Sequence, residues 1–293
     1  MNAYLLAALL GVIEGLTEFL PVSSTAHLRI AEALLHMDLS DGYWKMFSIV
    51  IQFGAIASLF IYFWRRLLDF ILSFPRGASG RGTALTHPLT LTFVAFLCTA
   101  GPSYLLVKVI GKNLEDLHIM AAALIIGGVV MIAVDLLYAS GNGIRLLTGR
   151  ITENMEDMRM WQAIWIGLCQ VLSAVFPGTS RSMSTIVPGQ LAGMTRAAAL
   201  EFSFFVSIPV MAVATGYELL KTLKPGHGQP DAMTAIHMGS EQWALLGIGG
   251  AVSFVVALLS VAWFMQWVRK HGFVGFGIYR ILLGAAVWIW LAK

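Results

Sequence analysis

Long apolar runs separated by short polar stretches extend along the whole chain. Six of them are about 20 residues long, enough for a helix to cross the ~30 Å hydrocarbon core of a bilayer. They predict membrane-spanning helices at about 45–63, 88–108, 118–138, 199–220, 241–266 and 272–292. The sequence therefore predicts an all-α polytopic membrane protein.

Two further apolar regions are interrupted in the middle. Residues 2–20 could form a helix, but Pro21 ends it, and the apolar stretch that follows covers only about 16 Å at 1.5 Å per residue. Residues 161–176 and 182–194 repeat this arrangement around Pro177. Each pair predicts a re-entrant helical hairpin, whose irregular backbone must be buried in protein or line a polar cavity.

The two halves of the chain share a pattern of small and polar residues. With an offset of 156 residues, the alignment pairs Gly11, Glu14, Thr17 and Pro21 with Gly167, Gln170, Ser173 and Pro177. With an offset of 155, it pairs Phe47-Ser48 with Phe202-Ser203. Each copy holds one hairpin and three spans, and an odd number of crossings turns the second copy upside down. We therefore expect one membrane domain over 1–293, built of inverted-topology repeats at 1–140 and 160–293.

Composition agrees with a membrane protein and limits the partners. Hydrophobic residues make up 58% of the chain and charged residues 12%, with a mean hydropathy of +0.77; a soluble domain is about a quarter charged. The net charge of +3 is small, so no nucleic-acid partner is expected. Arginines concentrate in 64–87 and 139–160, which the positive-inside rule assigns to the cytoplasm, and both termini then lie outside.

Two acidic residues lie within the first interrupted region. Glu14 and Glu18 are four residues apart, so they share a helix face. A carboxylate at membrane depth costs at least a few kcal/mol, which indicates a functional site. The pair suits Mg²⁺ or Ca²⁺, which can bridge to a phosphate. Ser24 and His27 follow three residues apart, a plausible hydroxyl nucleophile and imidazole base.

The second interrupted region supplies groups that bind anions. Arg181 carries a planar fork of donors that matches phosphate oxygens. The hydroxyls around it open a helix after Pro-Gly, where free backbone N–H groups favour an anion. In the repeat alignment Glu18 matches Ala174 and Thr25 matches Arg181, so the acids lie in one half and the arginine in the other. This asymmetry predicts a composite site at which both hairpins meet.

The two motifs at 14–27 and 177–185 resemble the signatures of the bacterial undecaprenyl-diphosphatase family of the bacitracin-resistance type. The similarity extends through 201–209 and covers essentially the whole chain, with Ala26 where the family usually has glycine. The resemblance implies hydrolysis of undecaprenyl diphosphate, a polyprenyl diphosphate lipid, to the monophosphate that carries cell-wall precursors. It also implies a divalent cation and a site open to the outer, periplasmic face of the inner membrane.

The resemblance also implies roles for individual residues. We expect Ser24, His27, Arg181 and Glu18 to be catalytic, and Glu14 with Glu18 to hold the cation. Substrate binding is expected of Ser180 and Thr185, which the resemblance implies as support for Arg181, and of further polar residues that the two hairpins supply, namely Ser23, Thr25, Gln170, Thr179 and Ser182. The nucleophile stays open between Ser24, His27 and water, and the oligomeric state, a homodimer included, stays open as well. The alternative function is a secondary transporter or lipid flippase with a cation site at the midplane.

Overall fold

Helices form nearly all of the chain that the structure describes. The structure is a computed structural model, and it describes residues 2–37, 42–77, 82–106, 116–139, 151–223 and 239–292. The α-helices are α1 Ala3–Thr17, α2 Ser24–Leu34, α3 Gly42–Val50, α4 Gln52–Tyr62, α5 Trp64–Ser73, α6 Pro88–Leu105, α7 Leu117–Ala139, α8 Met160–Val175, α9 Arg181–Leu191, α10 Arg196–Leu223, α11 Ser240–His271 and α12 Val274–Leu291. The predicted all-α class is confirmed.

Six helical segments of the described chain are long and apolar enough to span a membrane. They are Gly42–Tyr62 (α3 and α4 together), Pro88–Leu105, Leu117–Leu137, Arg196–Tyr217, Ser240–His271 and Val274–Leu291. Each overlaps one of the six predicted spans, so this part of the prediction is confirmed. Much of the basic sequence behind the predicted orientation, 78–81 and 140–150, lies outside the described residues.

Glycines allow the first helix of each short pair to pack closely on a span of the other half. A Cβ on Gly11 of α1 would lie 2.6 Å from the backbone oxygen of Gly249 in α11. A Cβ on Gly167 of α8 would lie 2.5 Å from the backbone oxygen of Ala95 in α6. Because only glycine fits such an approach, α1 is held on α11 and α8 on α6.

Ion pairs, one of them on a buried carboxylate, join several helices at one end of the molecule. The Asp135 carboxylate near the end of α7 is 1% exposed, and it accepts from Arg196 Nε at 2.7 Å and from the backbone N–H of Phe273 at 2.9 Å. Arg66 of α5 pairs with Glu156 at 2.7 Å and Glu201 at 2.8 Å. These contacts place the ends of α4, α7 and α11 beside the starts of α10 and α12.

Candidate active site

The two short-helix pairs break in the same way. The residue before α2 is Ser23 and the residue before α9 is Ser180, and their φ angles are 72° and 73°. Each serine oxygen accepts from the backbone N–H three residues on, at 3.4 Å, and so caps its helix. A non-glycine residue in this left-handed region costs about 1–3 kcal/mol, and such strain is concentrated at functional sites.

From its proline to its capping serine the second break is one residue longer than the first, because two residues separate Pro177 from Ser180 and one separates Pro21 from Ser23. Gly178 supplies the extra residue with a φ of 94°, and a Cβ there would lie 2.6 Å from the backbone oxygen of Met120. As a result Arg181 is the first residue of α9, the position that Ser24 holds in α2. The sequence alignment that matched Arg181 to Thr25 is therefore off by one residue at this point.

The Glu18 carboxylate connects the two halves. Arg181 Nη2 donates to Glu18 Oε1 at 2.5 Å, and the Ser24 hydroxyl donates to the other carboxylate oxygen. The side chains of Arg181 and Glu18 are only 13% and 7% exposed, so little water screens this pair. The other terminal nitrogen of Arg181, Nη1, is buried and has no acceptor among the residues that the structure describes. Nη1 can therefore donate a hydrogen bond to an oxygen of a bound ligand.

A cavity of about 270 Å³ opens beside this contact. Its polar wall comes from both halves, with Glu18, Ser24 and Arg181 beside the capping serines. Its apolar wall comes from α10, with Val210, Met211 and Ala214. A cavity with one polar and one apolar wall suits an amphiphile whose charged group lies against the arginine.

His27 does not pair with Ser24, contrary to the sequence prediction. Its Nδ1 lies 2.7 Å from the Ser23 carbonyl oxygen, and its Nε2 lies 2.7 Å from the Tyr279 hydroxyl. A carbonyl can only accept, so Nδ1 carries the hydrogen and a neutral ring accepts from tyrosine at Nε2. Both nitrogens are thus engaged away from Ser24. The reason lies in the partners of each group, since residues 24 and 27 share a helix face: the Ser23 carbonyl and Tyr279 bond to the imidazole, and Glu18 accepts from Ser24.

The predicted substrate-binding residues fall into two groups. Ser23, Thr25 and Ser180 line the cavity. The others are bonded within the protein: Gln170 to Thr99 at 3.2 Å, Thr179 to the Phe176 carbonyl at 2.7 Å, Ser182 to the Glu18 carbonyl at 3.4 Å, and Thr185 to Ser203 at 2.6 Å. These four hydroxyl and amide groups support the hairpins and do not face the cavity.

Glu14 lies behind Glu18 and is completely buried. With both acids ionised, neither of its carboxyl oxygens has a hydrogen-bond donor in the described part of the chain; a protonated Glu14 would donate to Glu18, and Glu18 and Arg181 are its charged neighbours. No cluster of three or more His, Cys, Asp or Glu side chains occurs among the described residues. The Glu14 carboxylate beside the Glu18 carboxylate, which already accepts from Arg181 and Ser24, still fits Mg²⁺, because this ion commonly takes one or two carboxylates and completes its shell with water and phosphate oxygens.

Arg280, which is 0% exposed in α12, interrupts an apolar span, and the sequence predicts that it snorkels or pairs, but not that it belongs to the site. Its guanidinium donates to the Pro21 carbonyl at 2.9 Å and to the Gly178 and Ala123 carbonyls at 3.0 Å. One side chain thus holds both breaks and α7 together. A Cβ on Gly127 would lie 2.3 Å from Arg280 Nη2, so that glycine makes room for it. The available signal was an arginine inside an apolar span, which marks a function without naming its partners.

Comparison with known proteins shows the family to which the chain belongs. The family model "Bacitracin resistance protein BacA" matches residues 7–286. A protein of Koribacter versatilis named undecaprenyl-diphosphatase is 64% identical over 293 residues, all of both chains. Proteins of the same name from Rhizobium leguminosarum and Bdellovibrio bacteriovorus are 43% and 38% identical, covering 96% and 99% of this chain and 94% and 96% of theirs. The chain belongs to the BacA family of bacitracin resistance proteins.

Proposed function

We propose that this protein hydrolyses undecaprenyl diphosphate to undecaprenyl phosphate and inorganic phosphate, and so recycles the lipid carrier of cell-wall synthesis. Full-length relatives carry the name of this activity. The observation that carries the mechanism is the cavity in which Glu18, Ser24 and Arg181 meet. The headgroup of the lipid would bind there, with its prenyl chain against the apolar wall.

We propose that both short-helix pairs are re-entrant hairpins and that 1–140 and 160–293 are inverted repeats. Gln162 at the start of α8 bonds to the Ala192 carbonyl after α9 at 2.8 Å, so this pair begins and ends at one level. That level is the end with the Asp135 and Arg66 ion pairs, because Gln162 also bonds to Thr152 beside Thr195. α1 begins among the starts of α3 and α11, at the opposite end.

We propose that the protein lies in the inner membrane with the cavity facing the periplasm. The cavity residues of α10 lie in its second half, which leads away from the arginine-bearing end. Arg65, Arg66, Arg76 and Arg159 belong to that end, and basic residues favour the cytoplasmic side. Ion pairs connect the helices at the arginine-bearing end, so a headgroup would enter the cavity from the opposite end.

Binding depends on the double role of Arg181. Before substrate enters, Nη2 is held by Glu18 while Nη1 has no acceptor in the described chain. The terminal phosphate would accept a hydrogen bond from Nη1 and compete with Glu18 for the hydrogen bond from Nη2. Two such bonds match the bidentate geometry of an arginine–phosphate pair. Charge that builds on the phosphoryl oxygens in the transition state would be stabilised by the same fork.

The chemistry begins at Ser24. Its oxygen attacks the terminal phosphorus, the bond from phosphorus to the bridging oxygen breaks, and undecaprenyl phosphate leaves. We assign the serine proton to Glu18, because the hydroxyl already donates to that carboxylate. His27 would position the start of α2 through the Ser23 carbonyl. Water then cleaves the phosphoserine, releasing inorganic phosphate and returning the proton to Ser24.

We propose a divalent cation, Mg²⁺ or Ca²⁺, held by Glu14 and Glu18. When bound, it neutralises part of the diphosphate charge. The support is the pair of buried Glu14 oxygens without donors. A buried carboxylate of this kind needs a positive partner or a proton.

Phosphate release by purified protein in detergent tests the proposed hydrolysis. Wild type should release phosphate from undecaprenyl diphosphate, and Ser24→Ala and Arg181→Lys should each lower the rate by about 10²-fold or more. Arg269→Lys, on the exposed last turn of α11, is the matched control and should keep the wild-type rate. Absence of release by wild type refutes the function.

The covalent step has a separate test. Labelled phosphate trapped on Ser24 after acid quenching supports the phosphoserine. Direct entry of one ¹⁸O from water with inversion at phosphorus refutes it, and an activated water then replaces the serine.

Lipid reorientation is the second candidate, as flippase or transporter activity. The support for it is that α1 begins at one end of the molecule and α8 begins at the other. Broken helices that enter from opposite sides are typical of secondary transporters. Movement of labelled undecaprenyl phosphate across liposomes that hold the protein tests it. Equal rates with and without protein exclude it.

A further inference from the structure

Two polar groups on facing helices are buried without partners. Glu14 of α1 and Ser253 of α11 are both 0% exposed. Ser253 Oγ has no hydrogen-bond partner within the described residues, and the Glu14 carboxyl oxygens have no donor there unless Glu14 shares a proton with Glu18. The helices touch here, since a Cβ on Gly15 would lie 2.7 Å from the Ser253 backbone oxygen.

In the other half of the chain, the two residues at the corresponding positions are hydrogen-bonded to each other. Gly11 faces Gly249 and Val252 on α11, and Gly167 faces Ala95 and Cys98 on α6, so α11 corresponds to α6 with an offset of 154. This offset matches Ser253 to Thr99.

The repeat in α1 and α8 likewise matches Glu14 to Gln170. Thr99 Oγ1 lies 3.2 Å from Gln170 Oε1, so the second half forms a closed amide–hydroxyl pair at this place. The first half has a carboxylate and a hydroxyl in the same helix register, and the two are not bonded to each other.

Ser253 also lacks the bond that helix serines usually form with their own backbone. Ser260 of the same helix donates to the carbonyl four residues back at 2.8 Å, and Thr99 does so at 2.9 Å. Ser253 makes no such bond. Its oxygen therefore keeps its lone pairs and its proton for another partner, in a layer where an unpaired polar group is costly.

We propose that Ser253 is a third oxygen ligand, with Glu14 and Glu18, of the divalent cation in this site. Hard cations take oxygen ligands, and Mg²⁺ in P-loop proteins is held by a Ser or Thr hydroxyl together with an Asp carboxylate. A cation would accept electron pairs from the Glu14 oxygens and from the Ser253 hydroxyl oxygen at the same time. The two residues do not bond directly to each other in the structure. The second half, with neutral Gln170 and Thr99 already bonded, has no cation site. This inference rests on the cation of the proposed function and names a residue outside both hairpin motifs.

Mn²⁺ binding to purified protein in detergent, followed by the electron paramagnetic resonance signal of free Mn²⁺, tests the ligand directly. Ser253→Ala should weaken Mn²⁺ binding about tenfold, in the range seen when a supporting group of a metal site is removed. Ser253→Thr keeps the hydroxyl and should restore binding. Glu14→Gln should abolish it.

The matched control is Thr99→Ala, which removes the corresponding hydroxyl of the other half. It should leave Mn²⁺ affinity within about twofold of wild type, because its partner Gln170 carries no charge. Wild-type Mn²⁺ affinity in Ser253→Ala overturns the inference, and so does an equal loss in Thr99→Ala. A melting temperature measured in chelator shows that each variant is folded.

Parallel assays separate this inference from the hydrolase proposal. Tight Mn²⁺ binding that depends on Ser253, in a protein that releases no phosphate, supports the ligand and refutes the enzyme. Phosphate release together with Mn²⁺ binding that ignores Ser253 supports the enzyme and refutes the ligand. Wild type that binds no Mn²⁺ refutes the ligand whatever the phosphate assay gives.

Discussion

Replacement of Arg280 by lysine tests whether one buried cation sets the distance between the two hairpin tips. Arg280 Nη1 binds the Pro21 carbonyl, and Nη2 binds the carbonyls of Ala123 and Gly178. A lysine ammonium keeps the charge but ends in a single nitrogen. It cannot reach acceptors that two separate nitrogens now serve, so at least one buried carbonyl loses its donor.

The free energies indicate that the loops will move and the fold will persist. Hydrogen bonds from a charged donor contribute about 1.5–3 kcal/mol each, so two lost bonds amount to about 3–6 kcal/mol. The breaks also hold Ser23 and Ser180 in left-handed conformations that cost about 1–3 kcal/mol each. Relaxation of these strained turns offsets part of the loss in stability. It also separates Glu18 from Arg181.

The expected result is a large effect on rate and a small one on stability. A displacement of about 1 Å in catalytic groups can cost about 10²-fold in rate, so kcat of Arg280→Lys should fall by about that factor. Phosphate release measures kcat and KM, and thermal unfolding in the same detergent measures the melting temperature. Arg269→Lys is again the control. A kcat for Arg280→Lys within about threefold of wild type would refute the clamp, since the charge alone would then suffice.

Three other substitutions test separate parts of the structure. Gly11→Ala places a Cβ 2.6 Å from a backbone oxygen of α11 and should lower both melting temperature and activity, whereas Gly275→Ala, with open space at its Cβ, should change neither. Asp135→Asn removes the negative charge from a buried ion pair and should lower the free energy of unfolding by about 3 kcal/mol, measured by thermal melting; an unchanged melting curve would contradict this. Tyr279→Phe removes one hydrogen bond from His27 and should reduce kcat about fivefold at most, as expected for about 1 kcal/mol; a loss of 10²-fold would assign the tyrosine to the chemistry.

Local physics explains why much of this architecture follows from sequence. An apolar run of about 20 residues has few stable states other than a spanning helix, and the six spans overlap the predicted ones. Pro21 and Pro177 end their helices wherever the rest of the chain lies, and α1 and α8 do end before them. Acids and an arginine in such runs are too costly to be accidental, so the chemistry of the cavity could be predicted from residue types at the two breaks.

Tertiary structure alone decided which of these groups are partners. Ser24 bonds to Glu18 and not to His27, because helix rotation and a tyrosine 252 residues away set where the imidazole points. Arg280 reaches the breaks only because glycine on α7 leaves it space. Ser253 lies where α11 packs against α1 only through the register of the two helices, which sets its backbone beside Gly15. The length of each apolar run fixes which segments enter the membrane. It does not fix the rotation and register of one helix against another, which side-chain packing determines in the assembled fold.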